Sequence, residues 1–393
     1  MATPRISRRG LLTGLGSLGC SAAAYPMMTG VSLASAPWDG RFVVIILRGA
    51  MDGLDVVRPV GDPDFGQLRA DFGETAHDLD GFFSLHDGLR ELMPLWRSGE
   101  LAFAHAVSTP YRDGRSHFDG QDILEAGTLA GTQAETARDG WLNRLLQVTP
   151  GIEAETGFAI GRENLRILMG KAPVANWSPE TRFGLGASAE QLLARIYRTD
   201  PLFREAAEEA VALSRSVDAI GDAGQAVRGC PEHLIAEFAA DRMRRDTRIV
   251  SFSLSGWDTH RNQAGAMPNL LGRLSDTILT LKAGLGDVWS KTAVLAMTEF
   301  GRTARQNGSR GTDHGTGGAM LLAGGALRGQ RVHGRWPGLS DADLLDRRDL
   351  MPTGDVRAYA GWVMRAMFGV DRSVIEQAVF PGLDLGDDPG ILL

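Results

Sequence analysis

Six consecutive apolar residues, Phe42 to Leu47 in "RFVVIILRGAMDG", set the tightest limit on the fold. Four of the six are β-branched, which favours an extended strand. No polar residue alternates with them, so both faces of that strand must be covered. A strand buried on two sides needs a packed layer on each, which is the arrangement of a parallel sheet between helices. The Gly-bracketed turn that follows places Asp52 just past the strand's carboxyl end.

The rest of the chain repeats this grammar. Further strands are predicted at Leu101–Val107, around Phe158, at Ile249–Leu254, Thr292–Met297 and Ala319–Ala323. Helical spacing occupies "LHDGLRELMPLWRSG", a long stretch after Pro201, "NLLGRLSDTILTLKAGLGDV" and the closing "DVRAYAGWVMRAMFG". Strands alternating with helices predict an α/β protein with a mostly parallel sheet flanked by helices. Without an internal repeat or a low-complexity linker, residues 37–393 read as a single domain, with a helical insertion around 124–246.

Residues 1–36 obey a different rule. Arg8 and Arg9, a Gly- and Ser-broken apolar stretch and "SLASA" ending at Ala36 read as a twin-arginine export signal. The twin-arginine export machinery is then a partner, and the expected location is periplasmic or extracellular. The stretch is too interrupted to span a bilayer well, so no stable membrane span is expected in the mature form. Removing three arginines and no acid moves the net charge from −7 to about −10. That balance argues against a nucleic-acid partner. It also leaves Cys230 alone, without an internal disulfide.

Ligand sites of open α/β sheets lie beyond the carboxyl ends of the strands. Asp52 sits there after the first strand; Arg115, Ser116 and Asp119 follow the second. Asp258 and His260 follow the "IVSFSL" strand. Glu299 and Arg302 follow "TAVLAM", and Asp313 and His314 lie in the next loop. Each has an ordinary alternative: a turn Asp for Asp52, a helix N-cap for Ser116, an ion pair with Glu299 for Arg302. Crowded together, the carboxylates repel one another, and a divalent cation relieves that repulsion. Mixed Asp, Glu and His donors suit zinc, manganese or iron better than magnesium. His117 is adjacent but gets no role, since its ring can point away. His77, His86, His105, His233 and His333 sit outside these turns.

The segments "LRGAMDGLD", "RSHFDGQDILEAG", "GWDTH", "TEFGRT" and "TDHGTGGAMLLAGG" together resemble the DUF1501 family, exported bacterial proteins of unknown function. That family is thought to be a distant relative of the alkaline phosphatase superfamily, which includes sulfatases and phosphoglycerate mutases. The resemblance implies an alkaline phosphatase-like three-layer sandwich. It also implies a metal-dependent hydrolase of phosphate or sulfate esters acting on a small anionic ester. Carried over residue by residue, it makes Asp52, Asp258, His260, Glu299, Asp313 and His314 metal ligands. Ser116 becomes the nucleophile, and Arg115 and Arg302 bind the ester's oxygens. One or two divalent ions are expected, zinc, manganese or calcium. Glu299-Phe300 departs from the superfamily's Asp-His and puts a complete two-ion site in doubt. The alternative is a non-catalytic metal-binding protein of the cell envelope. An oxidoreductase ranks last, because no Gly-x-Gly-x-x-Gly follows the first strand and cysteines are not clustered.

Overall fold

The computed structural model describes residues 38–70, 76–112, 114–128, 139–161, 165–178 and 231–393. The export signal, Cys230 and the helix expected after Pro201 lie outside the described residues.

Twelve strands are described in chain order: β1 (Arg41–Arg48), β2 (Val57–Arg58), β3 (Ala76–Asp78), β4 (Ser84–His86), β5 (Leu101–Ser108), β6 (Gly157–Ile160), β7 (Ala175–Trp177), β8 (Ile249–Ser255), β9 (Thr292–Met297), β10 (Gly318–Ala323), β11 (Arg331–His333) and β12 (Gly354–Asp355). Nine form one sheet in the order β11-β5-β10-β9-β1-β8-β6-β7, with β12 also paired to β5. β2, β4 and β3 make a small separate sheet. The apolar run that constrains the fold is β1, at the middle of the large sheet and parallel to both β8 and β9.

Its side chains divide as a doubly covered strand requires. Val43, Ile45 and Leu47 pack on one face with Phe238, Leu271 and Leu274 from the helices Pro231–Met243 and Gln263–Leu285. Phe42, Val44 and Ile46 pack on the other with Leu142, Leu145 and Val363 from the helices Trp141–Val148 and Val356–Phe368. Each such side chain, fully withdrawn from water, is worth roughly 1.5–3 kcal/mol. The result is a mixed α/β protein, a sheet between two helical layers. β6, the strand expected around Phe158, and β7 both arise within the span read as a helical insertion. β6 pairs parallel with β8 and extends the same sheet.

One strand runs backwards. β10 is antiparallel to both β5 and β9, whereas the other pairings of the large sheet are parallel. The loop from Thr298 to Gly317 therefore leaves the carboxyl end of β9 and enters β10 at the same edge. That reversal brings residues preceding β10 beside the turns after β1, β5 and β8. Among the described residues, no helix is long and apolar enough to cross a membrane.

The fold carries one strong acid sensitivity. His105, on β5, is buried against Phe83 and Trp336. Its Nε2–H donates to the Val57 carbonyl at 2.9 Å, and its Nδ1 accepts from the Ala106 amide at 2.8 Å. Burial pushes its pKa down to about 4. Below an unfolded value near 6.5 the unfolded chain takes a proton that the folded chain refuses, so stability is lost as pH falls from about 6.5 toward 4. Between pH 7.5 and 5 this group should cost about 2 kcal/mol. Urea unfolding at both pH values checks it: His105→Gln should lose that much less than the wild type on acidification. Equal losses in the two proteins would remove His105 as the cause.

Candidate metal centre

Four turns meet at the edge that β10's reversal completes. After β1 the chain turns sharply at Gly49 and Ala50, with φ of 116° and 62°. A Cβ on Gly49 would fall 2.6 Å from the Asp258 amide, so the close approach of the first and third turns requires glycine. After β5, Arg115 adopts a left-handed φ of 49° and Ser116 caps the helix His117–Ala126. His117 is thereby the first helical residue. After β8 comes buried Trp257, then Asp258, Thr259 and His260. Before β10, His314 forms an isolated bridge with Arg302.

Three imidazoles surround one carboxylate oxygen. Asp258 Oδ1 lies 3.3 Å from His117 Nε2, 3.1 Å from His260 Nε2 and 3.2 Å from His314 Nε2. The Nε2 atoms of His260 and His314 are themselves 3.0 Å apart. The ligand atoms of His117, Asp258 and His314 all lie within 4.8 Å of one another, and this triple could hold a metal ion.

The other ring nitrogens decide what these Nε2 atoms carry. His117 Nδ1 faces Glu299 Oε1 at 2.7 Å, His260 Nδ1 faces Asp313 Oδ1 at 3.0 Å, and His314 Nδ1 faces the Arg115 carbonyl at 2.8 Å. All three partners accept, so each Nδ1 must be the protonated nitrogen. In neutral rings every Nε2 is then a bare lone pair. Three lone pairs and a carboxylate oxygen turned on one another repel, unless a proton or a metal cation stands among them. His117 Nε2 is buried, faces Asp258 Oδ1 at 3.3 Å and has no well-formed hydrogen bond among the described residues. A histidine whose far nitrogen is held by a carboxylate or carbonyl is the usual state of a metal-ligating imidazole.

The charges agree. Burial works against the Asp258 carboxylate, but Arg302, with smaller help from His260 and His117, holds its pKa below the usual range. The hydrogen bond to Glu299 raises the pKa of His117, whereas burial lowers that of His314. Burial opposes the charge on Glu299, yet hydrogen bonds from His117, Gln121 and Thr298 outweigh it. The Phe300 ring stacks on His117 with centroids 5.2 Å apart and also flanks His314 and Tyr111, walling one side of the cluster with an apolar surface.

The expected residues separate into distinct groups. Asp258, His260 and His314 share the cluster. Glu299 and Asp313 stand behind it, as the acceptors that orient His117 and His260. Glu299 is wholly buried and also accepts from the Gly49 amide, Gln121 and Thr298. Asp52 lies in a different network: its two oxygens are taken by the Arg69 guanidinium at 2.6 and 3.1 Å, Gln263 at 2.7 Å and the Leu54 amide at 3.1 Å. Arg302 is fully buried. It pairs with Asp258 at 2.7 Å rather than with Glu299, and its other hydrogen bonds go to the carbonyls of Gly49, Ala50, Trp257 and Thr312. These contacts make it a staple for Asp258 rather than an open receptor for substrate. Ser116 accepts from the Asp119 amide at 3.4 Å, so the N-cap reading describes the hydroxyl's contact in this structure. Arg115 is exposed on the same loop. His117 is the residue the sequence reading passed over. Its signal was present, since a capping Ser116 makes the next residue the start of a helix at this very edge.

The family described as "Protein of unknown function (DUF1501)" matches residues 73–361. No curated protein matches the chain. Among solved structures, the chain is similar to the lipoteichoic acid synthase LtaP from Listeria monocytogenes, with 10% identity and a TM-score of 0.41 over 92% of this chain and 78% of that one. It is also similar to a protein in the alkaline phosphatase superfamily from Vibrio parahaemolyticus, with 12% identity and a TM-score of 0.35 over 76% of this chain and 65% of the other.

Proposed function

The chain belongs to the DUF1501 family, and from that premise we propose that it is an exported, metal-dependent hydrolase of phosphate or sulfate esters. The observation that carries the reading is the convergence of three Nδ1-anchored imidazoles on Asp258 Oδ1. His117, Asp258 and His314 would hold the ion, with His260 as a further donor. Donors bonded at about 2.1 Å to one ion lie roughly 3.0–3.4 Å apart. The separations from Asp258 Oδ1 to the three Nε2 atoms, and that between His260 and His314, are 3.0 to 3.3 Å and fit that span. A nitrogen-rich set favours zinc, iron or manganese over calcium, which prefers oxygen donors. Once bound, the ion would supply positive charge against the ester's oxygens and acidify a nearby hydroxyl.

The protein's own groups have separable tasks. Ser116 stands at the amino end of a ten-residue helix, where free amides and the helix dipole favour an anion. Its long cap bond leaves the hydroxyl lightly held. In the proposed step Ser116 Oγ forms a bond to phosphorus or sulfur as the ester's P–O or S–O bond breaks, the serine proton leaves with the departing alcohol, and water then cleaves the Ser116 ester, restoring the hydroxyl and releasing phosphate or sulfate. Arg115 offers an exposed guanidinium on the same loop for the non-bridging oxygens. Arg302, Glu299 and Asp313 hold Asp258, His117 and His260 in place.

A second reading, a metal-binding envelope protein without turnover, is favoured by Phe300 and Asp52. Phe300 fills the position beside Glu299 with an apolar ring, and Asp52 is neutralised by Arg69. Both observations lower the number of donors available to a second ion. Metal analysis of purified protein, with a panel of aryl phosphates, phosphodiesters and sulfates, separates the two. The hydrolase reading expects bound transition metal and turnover that falls to background in Ser116→Ala. Metal without turnover selects the binding protein. Protein that neither carries nor takes up metal overturns both.

A further inference from the structure

We infer that Gln263, the first residue of the Gln263–Leu285 helix, is a positioning residue for the metal centre, an inference that rests on the metal-site reading above. Its side chain is fully buried, and every hydrogen-bonding atom of the amide is used. Nε2 donates to Asp52 Oδ2 at 2.7 Å and to Asp55 Oδ2 at 2.9 Å. Oε1 accepts from Thr259 Oγ1 at 2.8 Å and Thr312 Oγ1 at 2.7 Å. The orientation of the amide is forced, because two ionised carboxylates can only accept.

The two threonines give this contact its meaning. Thr259 stands between Asp258 and His260, and Thr312 immediately precedes Asp313 and His314. One amide oxygen thus joins the two loops whose histidines bring Nε2 atoms to 3.0 Å of each other. The amide nitrogen ties that junction to a platform that cannot drift. Asp52 is paired with Arg69 at 2.6 Å and Asp55 with Arg58 at 2.8 Å, and all four side chains are buried. Arg69 is fixed further by the carbonyls of Thr303 and Ala304, the two residues that follow Arg302. The Asp52 network, outside the donor cluster, therefore reaches it through Gln263. Main-chain bonds from the Gln263 amide to the Arg310 carbonyl and from the Thr312 amide to the Thr259 carbonyl hold the loops roughly together. The side-chain fork sets where their donors finally sit.

Outer contacts of this kind alter metal affinity by about 10–100-fold. The test is titration of chelator-treated wild type, Gln263→Met, Thr312→Val and Thr312→Ser with zinc and with cobalt(II), at a temperature where circular dichroism shows every protein folded. Gln263→Met and Thr312→Val should each bind zinc at least about 10-fold more weakly and give an altered cobalt absorption spectrum. Thr312→Ser, which keeps the hydroxyl, should restore both. A variant that is merely less stable would keep the wild-type spectrum below its unfolding temperature. Wild type that binds neither ion overturns the metal-site reading and this inference together. Wild type that binds, with Gln263→Met and Thr312→Val matching its affinity and spectrum, overturns this inference alone. Should Gln263→Met fail to fold, the Thr312 pair decides.

Discussion

Replacing His117 by alanine should weaken zinc binding by at least about 100-fold, more than the 10–100-fold typical of losing a contact behind the ligands. The ring supplies one donor of the candidate triple, and its Nε2 is a buried nitrogen without a well-formed hydrogen bond among the described residues. Removing it would delete a metal–nitrogen bond and would also take one hydrogen bond from Glu299, whose carboxylate is wholly buried. Glu299→Ala should be milder, about 10-fold or somewhat more, because the ring survives and only its orientation and basicity are lost. Asp52→Asn supplies the contrast: it touches no donor, and Gln263 keeps an oxygen to bind, so zinc affinity should stay within a few-fold of wild type. Calorimetric titration of chelator-treated protein orders the three. Stability reports the same ranking, since zinc at 100 times its dissociation constant adds about 2.7 kcal/mol to a protein that binds it and nothing to one that does not. His117→Ala with wild-type affinity would dissolve the proposed centre.

Much of this architecture could be read directly from residue patterns. β1 and β9 coincide with the apolar runs at Phe42 and Thr292, because a strand covered on both faces has no room for polar residues and so marks its own limits. What residue patterns could not convey was direction. "GAMLLA" is as apolar as its neighbours, and nothing in it tells that β10 runs against them. The site divides along the same line. Placing the functional turns at the strands' carboxyl ends needed only the alternation of elements. Which atoms point inward needed coordinates. A carboxylate ringed by imidazoles, one that orients a histidine and one that neutralises an arginine look alike in a sequence, and Asp258, Glu299 and Asp52 take those three parts. His117 was missed for the complementary reason: its partners, Glu299 and Asp258, come from turns more than a hundred residues away. Counting acceptors would have helped. Three imidazoles need three groups behind them, and two of the supposed ligands, with the Arg115 carbonyl, fill that number.

That division of labour makes Arg302 the most sensitive position for stability. Its guanidinium is fully buried and bonds carbonyls of Gly49 and Ala50 after β1, Trp257 after β8 and Thr312 before β10, in addition to Asp258. Methionine fills a similar volume but donates nothing. It would leave four carbonyls without this donor and Asp258 without its cation; at about 1 kcal/mol for each bond lost, Arg302→Met should cost roughly 3–5 kcal/mol. The measurement is urea unfolding in the presence of chelator, so that no metal linkage enters. Arg302→Lys should recover little, because one ammonium with three donors cannot span carbonyls from three turns as a planar fork does. The same substitution should also weaken zinc. Arg302 is the leading counterweight to the burial of Asp258, and without it the carboxylate's pKa rises. A proton then competes for the oxygen on which the three imidazoles converge, so the loss of affinity should be steeper at pH 5 than at pH 8. An Arg302→Met protein within about 1 kcal/mol of wild type would mean that these three turns are held by something other than this side chain. Intact stability with a loss of zinc affinity that is the same at pH 5 and pH 8 would leave Asp258 without its assigned dependence on Arg302.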